Sequence, residues 1–290
     1  MTMINLYYSE AYWGHSQKMN GPHKVVKNLL MSLLQEKITY AVNEETYKFN
    51  LLLQYDWTGH LKHSELTLEN CVIGPQIWMF DGHVKELKDN PSYYKSLITP
   101  SQWVKDLYIS KFGFPEDKIK NWPVGIEEFN NVREPSYDCL IYFKRRDENE
   151  LSAVKKFLVN RGLSYRMVEY GGYDEIGFLN LVNQAKFCFL INGTESQGIA
   201  VQEIMSMGIP IIAWDVKEWN DQGETYRVPA TSIPYWDERC GEVFYDINNL
   251  DETFTKFYAR INEYDPKGFI KDNLSFKKTV EQLMEIFNAD

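Results

Sequence analysis

The sequence predicts an α/β protein built from parallel sheets in two successive halves. Three observations carry that expectation. Short apolar runs of strand length alternate with amphipathic helical patterns nearly throughout the 290 residues, the pattern that crossover helices between buried strands produce. A polar, proline-bearing stretch at 130–136 interrupts the alternation once. Hydrophobic residues at 44% and charged residues at 25% match a folded chain with substantial cores, which excludes a disordered or fibrous one.

In chain order the strand candidates are Ile4–Tyr8, Phe49–Tyr55, Cys71–Ile77, Ser96–Thr99 and Ile119–Val124, then Cys139–Phe143, Tyr165–Tyr170, Phe187–Ile191, Pro210–Trp214 and Glu242–Tyr245. Among the helices, 22–36 gathers Val25, Val26, Leu29, Leu30, Leu33 and Leu34 on one face, and 101–112 has Ser101 as its expected N-cap and Gly113 with Pro115 as its stop. The last helix carries Phe276, Val280, Leu283, Met284 and Phe287 as a helical stripe. Two Rossmann-like domains, 1–132 and 133–270, joined at the polar break, are the simplest organisation.

Charge narrows the function. The net charge is −10, divided as −2 over 1–132 (13 basic, 15 acidic) and −8 over 133–290 (18 basic, 26 acidic). Nucleic acids and anionic membranes are poor partners for such a chain, so an enzyme of small molecules leads. No signal-peptide pattern opens the sequence and no apolar run approaches a membrane span. The four cysteines lie 68, 49 and 52 residues apart, which is neither a zinc nor a disulfide framework. A cytoplasmic protein with buried thiols is expected.

P-loop, dinucleotide-fingerprint, nucleophile-elbow and H-E-x-x-H motifs are all absent, as is any D-x-D pair. His60 and His63 lack a third ligand, so no metal site is expected.

The informative stretch runs from Phe187 to Trp214. It reads as a buried strand, a tight Asn192-Gly193 loop, a helix from about Ser196 to Met207, Gly208 at the helix end, and a second buried strand from Pro210. A helix N-terminus facing the carboxyl end of a strand favours a phosphate or sugar oxygen, and Gly198 lets a ligand approach the backbone. Glu195 and Glu203 bracket this junction. Their spacing alone decides nothing, since 25 glutamates in 290 residues produce about two such pairs by chance, and two occur; a capping Glu195 with a surface Glu203 is the plain structural reading. Lys144-Arg145-Arg146, after the strand Cys139–Phe143, is a positive island in the acidic half. It suits a diphosphate or, alternatively, a solvated loop balanced by Asp147, Glu148 and Glu150.

Glu195-Ser-Gln-Gly-Ile-Ala-Val-Gln-Glu203, followed by Met-Ser-Met-Gly-Ile-Pro-Ile-Ile, resembles the E-x-x-G-x-x-x-x-E signature of family 4 retaining glycosyltransferases of the GT-B fold. Gly21-Pro-His-Lys-Val-Val-Lys resembles the family's first glycine turn and helix, Thr99-Pro-Ser-Gln-Trp its "PS" strand end, and Asn121-Trp-Pro-Val-Gly-Ile126 its segment before the linker.

The resemblance implies two Rossmann-like domains facing across a cleft, the first binding acceptor and the second a nucleotide-diphosphate sugar, with 271–290 packing back on the first. It implies a metal-independent, cofactor-free retaining transfer to a glycan or other hydroxyl acceptor. Glu195 would hold the transferred sugar and Glu203 the ribose. Gln197, Gly198 and Ile199 would meet sugar or diphosphate through their N–H groups, and Arg145, at the family's arginine position, the diphosphate; Lys144, from the same positive island, is the candidate second cation. Tyr170 or Tyr173, at the next strand end, is a candidate contact for the base, with plain core or surface aromatics as the alternative. Gly21 would lie in the acceptor and diphosphate loop, and His83, in Asp81-Gly82-His83, would be the first-domain histidine near the reacting sugar. Lys144 stands where the family has glycine, its later lysine is replaced by Asn149-Glu150, and its aspartate after Gly-Ile is Glu127. An inverting GT-B transferase, a nucleotide-sugar epimerase and an inactive nucleotide-binding scaffold are the alternatives.

Overall fold

The computed structural model describes residues 3–8, 21–44, 49–54, 71–76, 85, 87–92, 94–129, 134–221 and 224–289. The chain forms two compact units. Of the described residues, the first comprises those up to 125 together with 276–289, and the second those of 126–275. The boundary expected at 132 and the candidate His83 lie outside the described residues.

The first unit is a six-stranded sheet of β1 (Met3–Tyr7), β2 (Thr39–Val42), β3 (Phe49–Gln54), β4 (Cys71–Gln76), β5 (Ser96–Thr99) and β6 (Ile119–Asn121). Its order is β2-β1-β3-β4-β5-β6, with every pair parallel. β2 escapes the sequence pattern because it is a four-residue edge strand, Thr-Tyr-Ala-Val, with no fully buried side chain.

Helix Gly21–Gln35 buries Val25, Val26, Leu29 and Leu33 and leaves Leu34 exposed. The C-terminal helix Phe276–Asn288 belongs to this unit. Trp122, fully buried, donates from Nε1 to Thr279 O at 2.8 Å, and Lys95 Nζ donates to Phe287 O at 2.7 Å, where a cation suits the helix C-terminus. Gly125 is required by this packing, since a Cβ there would lie 2.6 Å from Thr279 Oγ1 and 2.7 Å from Phe276. Ser101 occupies the N-cap position of helix Gln102–Ser110, yet its side chain makes no cap hydrogen bond and its buried hydroxyl has no partner, which corrects the expected cap.

The second unit holds β7 (Tyr137–Lys144), β8 (Tyr165–Glu169), β9 (Ala185–Asn192), β10 (Ile211–Trp214) and β13 (Gly241–Phe244), in the order β13-β10-β9-β7-β8 and parallel throughout. β11 (Glu218–Asp221) and β12 (Glu224–Pro229) form an antiparallel hairpin after β10. That hairpin was not legible as strands because its residues are largely polar. The central strands β7 and β9 are buried on both faces, as helices on each side require. Phe187, Phe189, Leu151, Val154, Leu158, Phe254 and Phe257 lie in the core beneath one such face. All four cysteines are free and buried, and burial pushes the Cys71 and Cys240 thiols up to about 12.

Counted from their own first strands, both units run 2-1-3-4-5, the first with a sixth strand added. In such sheets the order reverses between strands 1 and 3, and ligands bind outside the carboxyl ends of the strands there. In the second unit that position lies between β7 and β9.

Candidate functional site

β7 and β9 end in register, Lys144 beside Asn192. Beyond them the chains stay in contact, because Gly193 N donates to Lys144 O at 2.9 Å. Gly193 permits this approach; a Cβ would stand 3.2 Å from Arg145 O. Arg145 turns away from the strand with φ +51, a left-handed conformation uncommon outside glycine and asparagine.

The loop after β9 reaches the signature helix through Gly198, which takes φ +83 and fills the N-cap position with no side-chain cap. The helix therefore spans Ile199–Ser206 rather than starting near Ser196, since the left-handed turn at Gly198 resets the chain direction. Gln202 Nε2 donates to Gln197 O at 2.8 Å and Gln197 Nε2 to Gln202 Oε1 at 3.1 Å, tying loop to helix. At the far end Ser206 Oγ donates to Glu127 O at 2.5 Å and accepts from Phe129 N at 3.3 Å. The helix is thus fastened at both ends, and its first turn points N–H groups and the positive dipole end outward from the β9 edge.

Glu195 is buried at the centre of this edge. Lys144 Nζ reaches its Oε1 at 2.5 Å and Asn192 Nδ2 the same oxygen at 2.8 Å, while its backbone N–H donates to Thr231 O at 3.0 Å. Tyr170 presents its ring to the Lys144 ammonium, 4.3 Å from the centroid. Glu203 is buried in the second turn of the helix.

Tyr142 and Tyr173 meet hydroxyl to hydroxyl at 3.2 Å, and Tyr173 stacks on Phe178. Burial, with the nearby Glu203 and Glu195 charges, pushes Tyr173 up to about 12, and burial with the Glu195 charge raises Tyr142 as well. Both phenols are neutral hydrogen-bonding groups at neutral pH.

Two parts of the edge escaped sequence reasoning. Arg146 forms a bidentate pair with Glu150, both contacts at 2.6 Å, and donates to Asn192 O and Trp214 O at 3.1 and 2.9 Å, with its guanidinium over the Trp214 ring. It clasps the ends of β7, β9 and β10. Asp215, buried just past β10, accepts from Ser232 N (2.7 Å), Ser232 Oγ (2.8 Å) and Thr231 Oγ1 (2.8 Å). It anchors the loop whose Thr231 carbonyl holds Glu195. Arg146 was visible as one of three consecutive cations, with Glu150 one helical turn on; nothing in the sequence links Asp215 to residues 231 and 232.

The structure thus brings Lys144, Tyr170, Glu195, Gln197 and Gly198 to one sheet edge, with Arg145 at the β7 end and Ile199 and Glu203 on the adjoining helix. Gly21 opens the first helix of the other unit, and a Cβ there would meet nothing within 4 Å. Among the described residues no group of three or more His, Cys, Asp or Glu is placed to hold a metal ion, and no helix is long and apolar enough to cross a membrane.

The chain has the GT-B fold: its two doubly wound parallel-sheet units match solved structures of that fold along nearly their whole length. Among solved structures, the apo lipopolysaccharide outer core galactosyltransferase WaaB matches with a TM-score of 0.57 at 10% identity, over 98% of this chain and 99% of that one. A glycosyltransferase from Rickettsia africae matches with a TM-score of 0.55 at 10% identity, over 98% and 97%. A variant of S. aureus TarM, in complex with fondaparinux, α-GlcNAc-glycerol and UDP, matches with a TM-score of 0.53 at 12% identity over 83% of this chain; the chain spans 55% of TarM's length. No protein-family model matches the sequence, and no curated protein matches it by sequence.

Proposed function

We propose that the protein is a retaining glycosyltransferase that moves a sugar from a nucleotide-diphosphate sugar to an acceptor hydroxyl without a metal ion. The observation that carries the reading is the β7/β9 edge, where a clamped Glu195 lies beside a glycine-opened helix N-terminus at the sheet's switch point. Neutral phenols and a buried Glu203 lie beside it, which suits a ligand rich in hydroxyl groups.

In this reading the first turn of the signature helix and Arg145 take the diphosphate, where fixed positive charge stabilises the departing oxygens. Glu195 accepts from a hydroxyl of the transferred sugar, Glu203 from the ribose, and Tyr170 or Tyr173 contacts the base. The acceptor oxygen bonds to the anomeric carbon on the face from which the diphosphate leaves with the bonding pair, and the acceptor proton passes to the departing phosphate oxygen. No protein nucleophile is assigned. His83 and Gly21 are assigned to the acceptor side on the motif resemblance alone. The free buried thiols fit a reducing, cytoplasmic compartment.

The test is product analysis by NMR with the donor that the protein turns over. Retention of the donor's anomeric configuration, with turnover unchanged in EDTA, is expected; an inverted product overturns the retaining assignment. Glu195→Gln lowers turnover far more than nucleotide binding, and equal losses in both overturn its role at the sugar.

A further inference from the structure

Lys144 stands at the β7 end, where a cation in a nucleotide-sugar site would ordinarily be assigned to the diphosphate. Its surroundings argue for another use. Parallel pairing places Lys144 and Asn192 in register on adjacent strands, so both side chains rise from the same edge. Both donate to one atom, Glu195 Oε1. The lysine and glutamate side chains keep only 12% and 11% of their exposure, and the Tyr170 ring faces the ammonium as well.

The Asn192 amide is turned to serve Glu195 at a cost. Its Oδ1 is fully buried and has no hydrogen-bond partner, a loss that a protein site tolerates where the other half of the amide is needed. The strand ends are therefore arranged around the glutamate.

We propose that Lys144 is a positioning residue. With Asn192 it fixes the Glu195 carboxylate in one orientation before the sugar nucleotide arrives, and it is not a diphosphate ligand. A carboxylate accepts through both oxygens, so two donors converging on Oε1 set the direction of the whole group toward a sugar hydroxyl. The diphosphate then falls to Arg145 and the helix N-terminus. The inference rests on the glycosyltransferase reading for its consequence, though the clamp itself does not.

The experiment compares wild type, Lys144→Met, Lys144→Arg, Glu195→Gln and the Lys144→Met/Glu195→Gln double variant. UDP, GDP, ADP and dTDP affinities are measured by calorimetry, and release of nucleoside diphosphate from their glucose, N-acetylglucosamine and mannose derivatives is followed kinetically. Lys144→Met is expected to bind the nucleoside diphosphate within about twofold of wild type, while kcat falls on the order of 100-fold, the loss that misplacing a reacting group produces. The double variant is expected to be no slower than Glu195→Gln, because the lysine acts through the glutamate, and Lys144→Arg recovers most of the rate. A tenfold or greater loss of nucleoside diphosphate affinity in Lys144→Met, with the monophosphate's affinity unchanged, overturns the proposal and makes the lysine a phosphate ligand.

Urea midpoints of the same variants read the clamp without any ligand. Lys144→Met takes the counter-ion from the buried Glu195 carboxylate and Glu195→Gln takes it from Lys144; each lowers the midpoint, and the double variant lies no lower than either single. Additive shifts overturn the clamp. If wild type releases nucleotide from no donor, the glycosyltransferase reading fails, and the urea series still decides whether Lys144 holds Glu195.

Discussion

The same strand order serves two units, and the described polar contacts at the ends of their first strands differ in kind. Around β1 of the first sheet the described contacts are neutral: Asn5 Nδ2 donates to Glu44 O at 3.0 Å and to Asn50 Oδ1 at 3.4 Å, and Asn43 exchanges hydrogen bonds with the Tyr8 backbone at 3.1 and 3.2 Å. At the end of β7 in the second sheet the contacts are ionic: Lys144 with Glu195, and Arg146 with Glu150. Neutral amides fasten loops at modest electrostatic cost, whereas buried ions must be desolvated and paired, and apolar replacements often fold as well. Ions concentrated at one switch point make that edge the candidate for a charged ligand.

The largest effects should come from glycines, and they separate the units. A Cβ on Gly241 would stand 1.8 Å from Ile211 O, at φ +139. Gly241→Ala is expected to cost more than about 4 kcal/mol and to unfold the second unit, read as loss of its cooperative transition in urea. Gly21→Ala, with nothing within 4 Å of the added carbon, is expected to change stability by no more than about 0.5 kcal/mol. Turnover lost in that variant would then report on a role of Gly21 in the reaction, not on folding.

The ionic and neutral edges come next. Arg146→Met leaves Glu150 unpaired and frees the carbonyls of Asn192 and Trp214, at a cost of about 3 kcal/mol. Asn5→Ala removes the neutral tie in the first unit at about 1–2 kcal/mol. Equal costs in urea titrations would erase the contrast between the two units. Asp215→Asn keeps the volume and weakens the loop that holds Glu195. It is expected to destabilise by about 1–2 kcal/mol and to lower kcat more than donor affinity.

The smallest effect is a pH dependence away from both edges. Hydrogen bonds from Ser164 Oγ and N–H hold the Asp138 carboxyl below its usual range. Its folded-state pKa is depressed, so its contribution is complete above the ordinary carboxylate pKa and is lost as pH falls through that value toward the lower one. Because the group is only partly buried, Asp138→Asn should remove no more than about 0.5 kcal/mol at pH 7, and less as the pH falls.

The alternation of apolar runs made the strands legible, since β7 and β9 are apolar on both faces and long enough to stand out. Glu195, Gly198 and Glu203 were legible because a glycine-opened helix after a buried strand has local spacing. What stayed hidden depends on distance in the chain. The bond between Asp215 and Ser232 joins residues 17 apart, across a hairpin whose strands are short and largely polar. Lys144 was legible as a cation but not in its engagement, because its partner lies 51 residues on and is brought near by strand register. The helix start was misplaced by three residues because the left-handed turn at Gly198 reads locally as helix.

The most direct test of the central claim is a thermal-shift titration of wild type and Glu203→Ala with UDP, GDP, ADP, dTDP and CMP and their common sugars. At a hundred times its Kd a nucleotide stabilises the folded state by about 2.7 kcal/mol, several degrees in Tm. One nucleotide class raising the wild-type Tm, and failing to do so in Glu203→Ala, is the predicted result. If no nucleotide moves the wild type, or if one moves both proteins equally, the second sheet's carboxyl edge is not the nucleotide-sugar site.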